Sequence, residues 1–177
     1  MEIKCESLIA YPRDVVYRAY RDRLPEVAKY IPDVKQIILH KRLEEGKVVR
    51  LHNEWVSERD VPMFAQKFLK PEMLRWDDYA TWDEAAWACD WRIKTRAFTD
   101  AVTCGGRNTF VEAGPKATRV ILSGELKIAL REIPGVPGFL ASTIGPQVEK
   151  FIVSLITPNL VKVNESLGKF LDEQAAR

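Results

Sequence analysis

The stretch from Pro146 to Gln174 constrains this chain more than any other. Val148, Ile152, Leu155, Asn159, Val163, Leu167 and Phe170 recur at steps of three and four, which places them on a single stripe of an α-helix. Phe151, Ile156, Leu160 and Leu171 widen that stripe, so the helix needs a large apolar partner. Unbroken, it would run for roughly 43 Å at about 1.5 Å per residue. Gly145-Pro146 marks the expected start, because proline at a first helical position gives up an N–H that has no partner there. Pro158 interrupts the pattern. Either the helix kinks and the Ser154 carbonyl loses its usual donor, or Thr157 caps a second helix with Pro158 in its first turn.

The rest of the chain must supply the partner surface, and its periodicity is that of a sheet. Residues 2 to 10 alternate as a half-buried strand, and a helix beginning near Pro12-Arg13-Asp14 and a short one over Glu26–Tyr30 follow it. Val34–Glu44 and Lys47–Ser57 meet at Glu45-Gly46 as a hairpin, which would pair Leu43 with Val48, Leu39 with His52 and Ile37 with Glu54. The face carrying Ile38, His40, Val49, Leu51, Asn53 and Trp55 is the expected inner one, although a one-residue slip would exchange the faces. Met73–Trp82 and Ala86–Arg96 form a second hairpin, and Ala101–Glu112 and Thr118–Leu130 a third. Gly124 leaves room for a bend or for another group to approach, and Cys104 looks like a strand residue beside a bulge.

At 177 residues with 46% hydrophobic composition, one domain spanning residues 1–177 is expected. A net charge of +2 lacks the basic field of nucleic-acid binders, so no nucleic-acid partner is expected. Three widely spaced cysteines without a CxxC argue against a disulfide framework or zinc cage, and the start has no basic-then-apolar signal region. A cytoplasmic location is the expectation. Neither a phosphate loop nor a dinucleotide fingerprint occurs, and no cofactor is implied. The sequence leaves the oligomeric state open.

Strand, two short helices, six strands in hairpins and one long helix: on this order the chain resembles the START/Bet v 1-like (SRPBCC) superfamily. The opening Ile9-Ala10-Tyr11-Pro12-Arg13-Asp14-Val15-Val16, the passage from Leu24-Pro25 to Ile31-Pro32-Asp33-Val34 and the helix from Pro146 carry the resemblance. It implies an α+β helix-grip fold, a curved antiparallel sheet of about seven strands around a long C-terminal helix. It also implies a container for a hydrophobic small molecule, lipid or aromatic and polyketide-like, used as carrier or sensor. The superfamily includes polyketide cyclase/aromatase-like enzymes, which is the alternative; a co-chaperone-like interaction module is a third.

The residues point to the inside of such a container. Trp55, Trp76, Trp82, Trp87 and Trp91 are all five tryptophans, crowded into one window and mostly on one strand face. They are either core filler or the wall of a pocket for a flat apolar ligand. Asn53, Asp78 and Asn159 are polar members of apolar stripes, so each is paired structurally or addresses a ligand's polar group. The expected ligand-binding set is Asn53, Trp55, Trp76, Asp78, Trp87, Trp91, Leu122, Leu155 and Asn159. A buried Asp78 would have a raised pKa unless a cation such as Arg107 reached it. His52 and Glu54 share a strand face and could be metal ligands or an acid–base pair, but no third ligand is visible and His40 falls on the other face. Catalytic and metal-binding residues are therefore not assigned. The apolar, Pro- and Gly-broken connections 61–69 and 133–140 are expected to gate the pocket through Phe64, Phe68, Val136, Phe139 and Leu140. With flanking Lys67, Lys70 and Arg131 they could also make transient membrane contact.

Overall fold

A computed structural model describes residues 1–63, 66–67, 70–97, 101–129 and 138–177, with the side chains of 138–144 excepted. The elements run β1 (Glu2–Ile9), α1 (Arg13–Asp22), α2 (Leu24–Val27, prolonged by a 3-10 turn over Ala28–Tyr30), β2 (Val34–Glu45), β3 (Val48–Ser57), β4 (Arg75–Asp83), β5 (Ala88–Thr95), β6 (Val102–Glu112), β7 (Thr118–Ile128) and α3 (Gly138–Ala175). The strands form one seven-stranded antiparallel sheet in the order β1-β7-β6-β5-β4-β3-β2. Alternation decides its faces: in β5, Cys89, Trp91 and Ile93 are buried while Asp90, Arg92 and Lys94 are exposed.

The first hairpin departs from the expected register. Its loop is Gly46-Lys47, closed by Glu45 opposite Val48, so Leu43 pairs with Arg50. Gly46 has φ +62°, the conformation a type II′ turn asks of its first central residue. A bulge between Leu39 and Lys41 then leaves His40 without a direct opposite number. Beyond it Ile37 lies opposite Trp55 and is buried, whereas His40 joins His52 and Glu54 on the outer face. The inner face of β3 is Val49, Leu51, Asn53 and Trp55, as the pattern implies, but His40 is not on it.

The stripe on α3 is buried along its length: Val148, Ile152, Leu155, Asn159, Val163, Leu167 and Phe170 are each less than 8% exposed. The helix starts at Gly138, eight residues before Pro146, and continues through Pro158 without a second cap. The carbonyl that Pro158 deprives of its donor is satisfied from outside the helix. Arg59 donates through Nη1 to Ser154 O at 2.8 Å and to Ser154 Oγ at 3.0 Å. The C-terminal half is latched to the start of the chain: Tyr11 donates to Asp172 at 2.9 Å, Ser166 donates to the Tyr30 carbonyl at 2.9 Å, and Tyr30 donates to Glu173. No described helix is long and apolar enough to cross a membrane.

Of the expected gate, Phe64, Phe68 and Val136 lie outside the described residues. Phe139 and Leu140 are in the first turn of α3 and not in a connecting loop.

Candidate functional site

The inner faces of β3, β4 and β5 meet α1 and α3 around a partly open cavity. Leu51, Asn53 and Trp55 come from β3; Trp76, Asp78, Ala80 and Trp82 from β4; Cys89, Trp91 and Ile93 from β5. Asn108 of β6, Tyr20 of α1, Leu24 of α2 and Ile156, Asn159, Leu160 and Val163 of α3 complete it. The empty space is about 590 Å³ counting the part open to solvent, of which about 40 Å³ admits the centre of a water-sized sphere. That holds a few waters; an aromatic ligand fits only as lining side chains move.

Much of the wall is aromatic surface. Trp55 and Trp76 are cross-strand partners and stack with ring centroids 5.7 Å apart and planes at 22°. Trp91 lies over Gly106 and Gly124, which face each other across β6 and β7. A Cβ on Gly106 would stand 2.3 Å from the Ser123 carbonyl oxygen and 2.7 Å from the Trp91 ring, and one on Gly124 2.9 Å from that ring. The glycines therefore make the trough in which this indole rests, and the ladder of β6 is continuous, without a bulge beside Cys104.

Into this wall are set a few polar groups. Trp91 donates through Nε1 to Asn108 Oδ1 at 3.0 Å, and Asn108 donates through Nδ2 to the Tyr20 hydroxyl at 3.3 Å. Asn53 donates through Nδ2 to Asp78 Oδ2 at 3.4 Å, a long hydrogen bond. Asn159 returns its amide to the Leu155 carbonyl at 2.8 Å. The buried Nε1 atoms of Trp55 and Trp82 have no hydrogen-bond partner of good geometry among the described residues.

Asp78 is the ionisable side chain of this lining that carries charge near neutral pH, and no cation accompanies it among the described lining residues. Its side chain is half-buried and lines the cavity. Burial pushes its carboxyl up to about 6, against smaller opposing effects from the Asn53 amide, the Trp55 indole and the charge of His52. Arg107 does not reach it, because that guanidinium holds Asp90 on the outer face at 2.7 Å. Burial also pushes the Cys89 thiol well above its usual value and the Cys104 thiol to about 12, so both stay protonated and are poor nucleophiles.

Six of the expected ligand-binding residues meet in the cavity: Asn53, Trp55, Trp76, Asp78, Trp91 and Asn159. Leu122 and Leu155 are buried in the core but do not line it. Trp87 is not on the inner strand face. It occupies the β4–β5 turn at φ +49°, packs edge-on against Tyr17 at 5.2 Å and lies under the Arg13 guanidinium at 4.3 Å. Tyr20, Trp82 and Asn108 are lining residues that the expected set omits. Alternation with Phe110 could have placed Asn108 inward, and the Val16/Tyr20 side of α1 was legible as buried, but nothing local says that the two meet.

His52 and Glu54 face away from the cavity. On the outer sheet surface His40 Nε2 lies 2.7 Å from Glu54 Oε2 and His52 Nε2 lies 2.7 Å from Asp77 Oδ1, with the two imidazole centroids 5.2 Å apart. Arg75 and Arg96 reach Glu54 at 3.2 and 3.1 Å. Among the described residues no group of three or more His, Cys, Asp and Glu is arranged to hold a metal ion.

No family model matches the chain, and no curated protein sequence does. Solved structures do match over almost its whole length. The Zhui aromatase/cyclase from Streptomyces sp. R1128 is 14% identical, with 100% of this chain and 96% of that one covered at a TM-score of 0.64. A protein from Thermus thermophilus is 20% identical, with 94% and 97% covered at 0.60. Norcoclaurine synthase from Thalictrum flavum is 14% identical, with 98% and 87% covered at 0.51. With a curved seven-stranded sheet closed on one long C-terminal helix and two short helices after the first strand, this chain has the START/Bet v 1-like, helix-grip fold.

Proposed function

We propose that the protein binds a hydrophobic small molecule, aromatic in character, in the cavity between the sheet and α3. The observation that carries this reading is the Asp78 carboxyl, held without a cation in an aromatic-walled enclosure. Such a group lowers stability near neutral pH, and an asparagine of the same size would not. A ligand that hydrogen-bonds it offsets the loss. Native mass spectrometry of gently purified protein tests the reading. The expected result is a co-purifying small molecule whose occupancy falls in Trp76→Ala; protein that is empty, and stays empty in the presence of aromatic probes, would contradict it.

A second reading, a cyclase/aromatase-like enzyme, draws support from the same carboxyl, whose pKa of about 6 suits a group that both gives and takes protons near neutrality. Of the residues that could do this work, Asp78 stands in the cavity while His52 and Glu54 are on the other side of the sheet. If the protein is an enzyme, Asp78→Asn binds its substrate and does not turn it over. The outer face favours an interaction module less, because its charges are largely paired with one another.

A further inference from the structure

The hydrogen-bond polarity of the cavity narrows the ligand class, and one atom sets much of it. An indole N–H can only donate, so the oxygen of Asn108 must face Trp91 and its amide nitrogen must face Tyr20. The Tyr20 oxygen is thereby an acceptor from Asn108, and its own proton must go to something else. Among the described residues it has no acceptor, and Tyr20 lines the cavity. Burial raises the phenol far above its usual value, which keeps that proton in place. The buried N–H of Trp82, on a side chain 3% exposed, adds a second unpartnered donor to the same lining, whereas the Trp55 indole lies close enough to Asp78 to lower its pKa. Against these donors stands one carboxyl, Asp78, and no cation among the described lining residues.

We infer that the cavity takes a neutral aromatic ligand bearing carbonyl oxygens, one of which accepts the Tyr20 hydroxyl proton, and that Asn108 and Trp91 are positioning residues that aim this proton. The inference rests on the binding function proposed above and specifies its ligand. A carboxylate or phosphate finds no counter-charge here and meets Asp78, so free fatty acids and other anions are disfavoured. A pure hydrocarbon leaves the Tyr20 and Trp82 donors unpaired, the situation in which sites built for hydrogen bonding discriminate most strongly.

Three naphthalenes of nearly equal size test this: 2-acetylnaphthalene, its isostere 2-isopropenylnaphthalene, which lacks the oxygen, and 2-naphthoate. Isothermal titration calorimetry at neutral pH should rank the ketone first, about tenfold or more ahead of the isostere, with the naphthoate weakest. Tyr20→Phe should bring ketone and isostere within about threefold of each other, chiefly by weakening the ketone. Because Tyr20→Phe strands the Asn108 amide and can loosen the fold, a second measurement needs no variant. The infrared carbonyl band of bound, isotope-labelled 2-acetylnaphthalene should move to lower wavenumber than in an aprotic solvent. Ketone and isostere binding equally, naphthoate binding best, or an unshifted carbonyl band overturns the inference while leaving a hydrophobic binding function intact. Failure of all three probes to bind overturns both.

Discussion

Glu54 and Asp78 stand on neighbouring strands of the same sheet, and they meet the problem of a covered carboxyl in opposite ways. Glu54, 4% exposed, lies on the outer face under the side chains of its own partners. His40, Arg75 and Arg96 contact it within 3.2 Å, and the His40 hydrogen bond, ahead of those from the arginines, holds its pKa below the usual value. Asp78, on the inner face, has a long contact to a neutral amide and a pKa raised by burial. The first carboxyl ties β2, β3 and β4 together; the second, with its raised pKa, is expected to weaken the fold near neutral pH. A residue retained at the expense of stability, inside a cavity, is a functional candidate, whereas a satisfied ion-pair cluster of similar composition is not. On the proposed reading, outer-face charge serves the structure and the inner-face charge of Asp78 serves the ligand.

The largest effect is expected where Trp91 rests on the glycine trough. Gly106→Ala drives a Cβ into backbone at 2.3 Å and into Trp91, so it should cost roughly 3 kcal/mol in urea denaturation and weaken probe binding as well. A mild effect on both would mean that Trp91 is not held as described.

On the outer face, Glu54→Gln leaves two arginines facing a neutral amide and should cost about 2 kcal/mol at pH 7, discounted from a deep ion pair because its partners reach solvent. Its folded pKa is depressed, so the carboxylate's contribution is present above the ordinary carboxylate range and is lost as pH falls through the folded value. The difference between wild type and Glu54→Gln should therefore shrink in acid, while probe affinity at neutral pH stays the same. Loss of affinity in this variant would move the functional boundary to the wrong side of the sheet.

The smallest effect is expected at His52→Gln, about 0.5 kcal/mol or less, with calorimetric affinity unchanged. A large affinity loss there, with folding intact, would restore an acid–base role to the outer histidines.

Much of this was legible in the chain because it is local. The α3 stripe and the alternation of β4 and β5 depend on periods of three to four and of two residues, and they placed Trp76, Asp78, Trp91 and Asn159 together correctly. Asp78 stood out as a charge in an apolar row. What could not be read there depends on cross-strand geometry or on distant partners. The bulge that turns His40 outward is set by how β2 pairs with β3, since either flat register suits its residues equally well. Trp87 resembles an inward strand residue until the left-handed turn removes it from the ladder. The Tyr20–Asn108 contact joins residues 88 apart in sequence, and no pattern in α1 or β6 alone announces it.

If the Asp78 carboxylate serves a ligand at the expense of the fold, Asp78→Asn shows it as a gain in stability. The folded pKa of about 6 lies above the unfolded value of 3.8, so the native state binds the proton more tightly and wild-type stability falls as pH rises through that window. Urea denaturation of both proteins at pH 4 and pH 8 should find them similar in acid and the Asn variant more stable by about 1–3 kcal/mol at pH 8, with cavity water limiting the gain. An Asn variant that is less stable than wild type at pH 8 would show that the carboxylate supports the fold, and would contradict the account.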